Sequence, residues 1–148
     1  MAWNVETTDE FLAWWQELAE DQQEKVSATV KLLEERGPQL PHPYSSGINN
    51  SKHGQMRELR IQRCGRPIRV FYAFDERRCA VLLIGGDKTG DNRFYDWMVP
   101  WADKIFDDHI EALTKEHAHR SGKREPFAKH GDLESSGKKR ERRGKHDR

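Results

Sequence analysis

Two nearly uninterrupted apolar runs, at residues 68–74 and 81–84, constrain the fold of this 148-residue chain more than any other feature. A few polar residues, among them Glu76 and Arg77, separate the two runs, which favours a tight connection between antiparallel strands. A strand that is apolar at almost every position is typical of one covered on both faces. We therefore expect a sheet that is buried on both sides.

The segment before these runs indicates another strand, one with a polar face. Leu59 and Ile61 alternate with Glu58, Arg60 and Gln62, which is the two-residue period of a strand with one buried side. The three strands together should form an antiparallel meander. Their predicted bounds are 56–63, 67–75 and 79–87.

A short strand and a helical hairpin are predicted ahead of the meander. Apolar and polar residues alternate at 3–6, as in a short first strand. Thr7 and Glu10 have the spacing of a capping box, which opens a first helix. A second start signal at 21–24 and a Gly-Pro stop at 37–38 bound the next helix. Two helices in an antiparallel hairpin are the simplest interpretation.

The rest of the folded segment consists of loops and a C-terminal helix. Pro, Ser, Gly and Asn dominate residues 39–54, and residues 85–90 are glycine-rich, so both segments are predicted loops. Helical spacing starts at about Asn92, and Pro100 should break or restart the helix because proline lacks the amide donor. The predicted buried stripe consists of Ala102, Phe106, Ile110 and Leu113. These elements predict an α/β chain of the α+β type.

The distribution of charge divides the chain into a domain and a tail. Residues 117–148 carry a net charge of +6 and few apolar side chains, whereas residues 1–116 carry −5. Because so few apolar side chains cannot offset the entropy of ordering, we expect a disordered basic tail behind one domain. The tail either contacts RNA or only keeps the chain in solution. Neither a membrane-spanning run nor a secretory signal is visible, which favours a cytoplasmic protein without membrane contacts.

Neither cysteine nor metal chemistry is indicated. Cys64 and Cys79 flank one predicted strand and should lie about 25–30 Å apart, too far for a disulfide. We expect both to be unreactive thiols in a reducing compartment. The acidic residues around the last helix match no metal-ligand spacing. That rejected group consists of Asp87, Asp91, Asp96 and His109.

Three short motifs together resemble a known family. They are Met-Arg-Glu-Leu-Arg at 56–60, Arg-Val-Phe-Tyr at 69–72, and Leu-Ile-Gly-Gly-Asp-Lys at 83–88 followed by Tyr95. In this order and spacing they resemble the RelE/HigB toxin superfamily, most closely its phage-derived Gp49-like branch, over roughly residues 3–110. The resemblance implies a RelE-like fold, a cognate helix-turn-helix antitoxin of the HigA type, and cleavage of mRNA on the ribosome.

Cleavage of RNA without a metal requires proton transfer and cations that stabilise the phosphorane. Arginine suits the cationic role because its planar fork stays charged and can hold two phosphate oxygens. Arg60 lies on the polar face of its strand, and the resemblance implies that it is catalytic. The resemblance also implies proton transfer or phosphate contact for Lys52 and His53, phosphate contact for Lys88, and nucleotide positioning for Tyr95.

Further roles follow for residues near these candidates. Arg57 and Arg93 are candidate RNA contacts, because both are basic and lie close to the motifs. Arg69 sits inside an apolar strand, so we expect a structural role with a buried carboxylate partner. Gly85 and Gly86 lack a Cβ and could let a ligand approach the backbone closely.

Two other functions remain open from the sequence. A ParE-like toxin would bind DNA gyrase and cleave nothing, and similar folds support both activities. A phage-derived binding protein with a degenerate site is the other alternative. The negative charge of residues 1–116 argues mildly against an RNA-cleaving enzyme, although a basic groove within an acidic shell could still bind RNA. The combination of Lys52 or His53 with Arg60 and Tyr95 favours the nuclease.

Overall fold

The structure is a computed structural model that describes residues 2–63 and 65–119. Its strands and helices are β1 (Val5–Thr7), α1 (Asp9–Gln16), α2 (Glu20–Arg36), β2 (Ser45–Gly47), β3 (Arg57–Arg63), β4 (Arg66–Phe74), β5 (Ala80–Asp87) and α3 (Phe94–His119), with a 3-10 turn at Gly37–Gln39. Predictions about Cys64 and about the tail beyond residue 119 lie outside the described residues.

The described strands form one mixed sheet with the order β1-β5-β4-β3-β2. Strands β3, β4 and β5 are neighbours and antiparallel, so the predicted meander is confirmed. Strand β1 instead runs parallel to β5, with Val5 opposite Ala80. With helices before and after the meander, the arrangement is the α+β architecture that the resemblance implied, and it is consistent with a RelE-like fold.

The two edge strands differ from the prediction. Strand β1 occupies Val5–Thr7 rather than 3–6, and β2 lies within the segment 39–54 that we expected to be a loop throughout. The loop prediction is therefore wrong at β2. The sequence Ser-Ser-Gly has no apolar alternation, so pairing with β3 defines this strand, with Ser45 opposite Leu59. The hydroxyl oxygens of Ser45 and Tyr72 also lie 2.6 Å apart.

The two predicted helices are confirmed, but their N-terminal caps differ. Thr8, not Thr7, caps α1, because Thr7 ends β1 and the Thr8 hydroxyl accepts a hydrogen bond from Phe11 N at 3.0 Å. Helix α2 begins after Ala19, whose amide donates to the Gln22 side chain at 3.1 Å. The Gly-Pro stop lies where the sequence predicts it, at the end of α2.

Each face of the sheet has its own apolar core. Helices α1 and α2 cover one face, where Leu59, Val70 and Leu82 are buried. Helix α3 covers the other face, where Phe71 and Leu83 are buried together with apolar residues of α3. The prediction that β4 and β5 are covered on both faces is therefore confirmed.

The consecutive glycines of β5 make room for aromatic side chains. A Cβ at Gly85 would lie 2.4 Å from the ring of Trp14 on α1, and a Cβ at Gly86 would lie 2.9 Å from Phe94 on α3. The space above each glycine is thus filled from within the protein. The prediction that Gly85 and Gly86 admit a ligand is wrong for this reason.

Helix α3 continues through Pro100 to His119, so the predicted break is wrong. The neighbouring Met98, Val99 and Ala102 are buried against the sheet, and this packing holds the helix in place on both sides of the proline. Ile110 is exposed rather than part of the buried stripe. The helix also includes the first residues of the segment predicted as a tail.

None of the helices in the described residues is long and apolar enough to cross a membrane.

Candidate functional site

A buried carboxylate, Glu58, organises the polar side chains on the α3 side of the sheet. Tyr95 Oη donates a hydrogen bond to Glu58 Oε1 at 2.7 Å, and Arg60 Nη1 lies 3.4 Å from Glu58 Oε2. Arg69 Nε lies 3.6 Å from Glu58 Oε1. Arg60 and Arg69 are directly opposite each other on β3 and β4, so the strand register brings both guanidinium groups to one carboxylate.

Lys88 completes this group from the end of β5. Its ammonium nitrogen lies 5.4 Å from the centroid of the Tyr95 ring, within the range of a cation–π contact. Its backbone amide donates to the carbonyl oxygen of Pro67 at 2.9 Å, which fixes the start of the loop after β5. We call Glu58, Arg60, Arg69, Lys88 and Tyr95 the Glu58 cluster. Three cations and one anion give it a formal charge of +2.

The exposure of the side chains separates structural from accessible members. Glu58 and Arg69 are 5% and 4% exposed, whereas Arg60 is 33% exposed. The expectation that Arg69 has a buried carboxylate partner is confirmed, and that partner is Glu58. Only part of the Arg60 guanidinium is occupied by Glu58, so its remaining donors can reach a ligand from solvent.

The hydrogen bond to Glu58 also defines the protonation of Tyr95. Burial raises the pKa of the Tyr95 phenol, and the neighbouring Glu58 carboxylate raises it further. The phenol therefore remains protonated at neutral pH and acts as a hydrogen-bond donor. In this arrangement the side chain is a neutral phenol, not a phenolate.

Lys52 and His53 form a second group, on the loop between β2 and β3. Lys52 Nζ and His53 Nε2 each lie 2.8 Å from a carboxylate oxygen of Asp107 on α3. The hydrogen bond and the charge of Asp107 raise the pKa of Lys52, and the hydrogen bond from Lys52 lowers the pKa of Asp107. His53 also packs edge-on against Phe106, with ring centroids 4.8 Å apart. Lys52 is therefore protonated at neutral pH and is not available as a base.

A second carboxylate of α3 fixes the backbone of this loop. Ser51 Oγ donates to Asp103 at 2.6 Å, and the backbone amide of Lys52 donates to the same carboxylate at 3.0 Å. The amide of His53 in turn donates to Ser51 Oγ at 2.9 Å. We call Lys52, His53, Asp103 and Asp107 the loop cluster. Its hydrogen bonds tie the loop to α3.

The structure divides the predicted catalytic residues between these two clusters. Arg60, Lys88 and Tyr95 come together, as the sequence predicts. Tyr95 and Asp107 are twelve residues apart on one helix, which corresponds to about 18 Å along its axis. Lys52 and His53 are held at Asp107 and therefore do not reach the Glu58 cluster.

The two predicted RNA contacts lie in different places. Arg57 is three residues from Arg60, so the alternation of β3 places its side chain on the opposite face of the sheet, where its Nε donates to Ser45 Oγ at 2.9 Å. Arg57 therefore lies on the face of the sheet opposite the Glu58 cluster. Arg93 lies just before α3, its side chain is 80% exposed, and its Nε lies 3.5 Å from a carboxylate oxygen of Asp96.

Three carboxylates at these clusters were not predicted to have a role. Glu58 could have been found, because it is the one acidic residue within 44–72 and lies on the same polar strand face as Arg60. Asp103 and Asp107 gave only a weak signal, a pair of acids four residues apart on a helix. Their contact with the loop depends on how α3 packs on the sheet.

A separate buried network lies at the far end of β4. Arg77 Nη2 donates to Glu6 at 2.8 Å and to Asp75 at 2.7 Å, and His109 Nε2 lies 2.9 Å from Asp75. Burial alone would raise the pKa of Asp75, but the hydrogen bonds from His109 and Arg77 hold it well below its usual value. Burial raises the pKa of Cys79, beside Glu6, to about 11, in keeping with an unreactive thiol.

Within the described residues, no group of three or more potential ligands is arranged to hold a metal ion.

A comparison with known protein families finds a match that covers both clusters. The family model described as "Phage derived protein Gp49-like (DUF891)" matches residues 13–107. "Putative toxin HigB3" of Mycobacterium tuberculosis (strain ATCC 25618 / H37Rv) is 41% identical over 92 residues, which cover 62% of this chain and 79% of that protein.

A second relative from the same strain, "Putative toxin HigB2", is 37% identical over 100 residues. These residues cover 66% of this chain and 50% of that protein, so the chain spans about half the length of this relative. The family model, in contrast, matches well over half of the chain and includes every residue of the Glu58 cluster and the loop cluster. The chain therefore belongs to the Gp49-like family of phage-derived proteins.

Proposed function

We propose that this protein is the toxin of a toxin–antitoxin pair and cleaves mRNA on the ribosome. The observation that carries the proposal is the Glu58 cluster, in which Arg60 and Tyr95 contact one buried carboxylate and Lys88 lies over the Tyr95 ring. The names of the two mycobacterial relatives support the toxin role. A HigA-like antitoxin, mRNA and the ribosome are the partners in this proposal.

The positive charge of the cluster suits the transition state of RNA cleavage. When a 2′-hydroxyl attacks the adjacent phosphate, negative charge develops on the phosphorane oxygens. Arg60 would bind these oxygens with the donors that Glu58 does not occupy, and Lys88 would add a second cation. Arg69 would act as a positioning residue from below the surface, and Glu58 would both orient Arg60 and Tyr95 and take part in proton transfer through Tyr95.

Proton transfer at this site is assigned to Tyr95 and Lys88. Tyr95 Oη already donates to Glu58, so the phenol can pass its proton to that carboxylate while it takes the proton of the 2′-hydroxyl. The ammonium of Lys88 can then protonate the 5′-oxygen as the phosphorus–oxygen bond breaks. The products are a 2′,3′-cyclic phosphate and a 5′-hydroxyl, and no metal is required.

Lys52 and His53 receive a different role in the proposal. A general base must lie within hydrogen-bond reach of its proton, and Asp107, which holds the side chains of Lys52 and His53, is about 18 Å from Tyr95 along α3. We therefore assign to Lys52 and His53 contacts with the RNA backbone at a distance from the cleaved bond. Exposed Arg93 is a further candidate for such a contact.

Expression of the chain alone in growing cells tests this function. Mapping of transcript ends during growth arrest should reveal new breaks within translated codons, and Arg60→Ala should abolish them. Lys31→Ala, on the exposed surface of α2, is the control and should leave the breaks unchanged. Intact messages together with DNA-cleavage complexes of gyrase would overturn the proposal in favour of a ParE-like toxin. Growth unaffected by the unaltered chain would also overturn it.

A further inference from the structure

An open cleft of about 780 Å³ lies away from the Glu58 cluster. Trp3, the loop after β2, and the ends of β3 and β4 form its walls, and none of the Glu58-cluster residues lines it. Its volume is within the range of about 300–1,000 Å³ that is typical of ligand sites. The cleft therefore has room for a few side chains of a bound molecule.

The walls combine apolar side chains with two arginines. Ile48 and Phe74 contribute apolar surface, and Arg57 and Arg78 contribute the guanidinium groups. Arg57 is held by Ser45, and Arg78 lies over the ring of Trp3 at 5.3 Å from its centroid. Among residues 2–63 and 65–119, no carboxylate lies within salt-bridge distance of Arg57 or Arg78. The cleft thus presents two positive charges without an acidic partner from this part of the chain.

These features favour a peptide over a nucleotide. A bound base would need an open aromatic face. The ring of Trp3 is already in contact with Arg78 and with the edge of Phe74, and the backbone of Gly37 packs so closely that a Cβ there would lie 2.4 Å from the indole. The chain's own segment 117–148 is also a poor occupant, because its net charge of +6 would be repelled by two arginines.

We propose that this cleft binds an acidic segment of a partner protein. Carboxylates of the segment would pair with Arg57 and Arg78, and an apolar side chain between them would pack against Ile48 and Phe74. Each charge-assisted hydrogen bond of this kind should strengthen binding about tenfold. The inference rests on the cleft alone and does not depend on RNA cleavage.

Nuclear magnetic resonance of the full chain tests the inference with a defined probe. The probe is the acetylated, amidated pentapeptide Glu-Leu-Asp-Phe-Glu, titrated to millimolar concentration. We expect saturable shifts of the Arg57 and Arg78 Nε signals and of the Trp3 indole. Arg57→Gln and Arg78→Gln should each weaken binding about tenfold, because each removes one charge. Lys31→Gln removes one charge from the exposed surface of α2 and should leave the affinity unchanged.

Several results would overturn the inference. One is the absence of saturable shifts in the folded chain, and another is equal binding of the peptide in which lysine replaces every acidic residue. Equal weakening by Lys31→Gln would show a nonspecific effect of net charge. Displacement of the peptide by adenosine monophosphate at a concentration lower than that of the peptide would indicate a nucleotide site. A dimer, detected by sedimentation, whose contacts cover Arg57 and Arg78 would identify a second copy as the occupant.

Discussion

Replacement of Glu58 by glutamine should destabilise the protein, because Glu58 is the carboxylate beside the buried Arg69. Glutamine has nearly the same shape and can still accept the hydrogen bond from Tyr95. It cannot balance the charge of Arg69, whose side chain is 4% exposed. Arg69 would then retain a hydrogen bond to the carbonyl oxygen of Ile68, at 3.1 Å, but no carboxylate among the described residues within salt-bridge distance.

The geometry sets the size of the effect. Removal of one partner from a buried ion pair costs about 3–5 kcal/mol when the pair is well formed. Here Arg69 Nε is 3.6 Å from Glu58 and has no hydrogen-bond partner within the described structure, so we expect a smaller loss. A decrease of about 2–3 kcal/mol in the free energy of unfolding is the prediction. For a domain of this size it corresponds to a decrease of roughly 8–12 °C in Tm.

Urea unfolding followed by circular dichroism measures this change. The double variant Glu58→Gln/Arg69→Met removes both charges and should recover at least about 1 kcal/mol relative to the sum of the single variants. The control is Asp87→Asn, because Asp87 pairs at 3.1 Å with Arg66, which is 50% exposed. An exposed pair of this kind contributes about 0–1 kcal/mol. A loss from Glu58→Gln no larger than that of the control, or strict additivity in the double variant, would show that Glu58 does not stabilise the fold through Arg69.

Three further predictions concern other parts of the fold. Because the pKa of Asp75 is lowered in the folded state, ionised Asp75 stabilises that state at pH values above its unfolded pKa of about 4. This contribution is lost as the pH falls below that value. The free energy of unfolding, measured with urea, should therefore fall less between about pH 5 and pH 3 in Asp75→Asn than in the unaltered protein. Parallel plots of this free energy against pH for the two proteins would contradict the prediction. Gly85→Ala should cost about 1–3 kcal/mol through contact with Trp14, whereas Gly54→Ala, with open space around its Cβ, should change little; equal unfolding midpoints would be inconsistent with the packing. Because burial raises the pKa of Cys79 to about 11, iodoacetamide should label its peptide far more slowly in the folded protein than in urea, as measured by mass spectrometry, and equal rates would exclude a buried thiol.

The strands and helices that could be predicted are those with a local periodic signal. The meander follows from the apolar runs of β4 and β5 and from the alternation in β3, and two start signals and one stop signal bound α1 and α2. Strand β2 has no such signal, because Ser-Ser-Gly becomes a strand only through pairing with β3. Pro100 was misleading for a similar reason, since buried residues on either side of it hold α3 against the sheet.

The candidate site was predictable where side chains share a strand face. Arg60 and Glu58 lie two residues apart on β3, and the same alternation would have placed Arg57 on the opposite face. The position of Lys52 and His53 could not be predicted, because it depends on contacts between their loop and Asp107 of α3. Local sequence describes neither the path of a loop nor the helix face that it meets.

The decisive experiment is to incubate the purified chain with ribosomes that are translating a defined message and to analyse the RNA fragments. We expect fragments with a 2′,3′-cyclic phosphate at one end and a 5′-hydroxyl at the other, formed in the presence of EDTA concentrations that leave the ribosomes intact. Tyr95→Phe and Arg60→Ala should each slow the reaction at least about a hundredfold, in line with the loss of a proton-transfer group or of a transition-state contact. Fragments that carry a 5′-phosphate, or an unchanged rate in Arg60→Ala, would contradict the proposed mechanism.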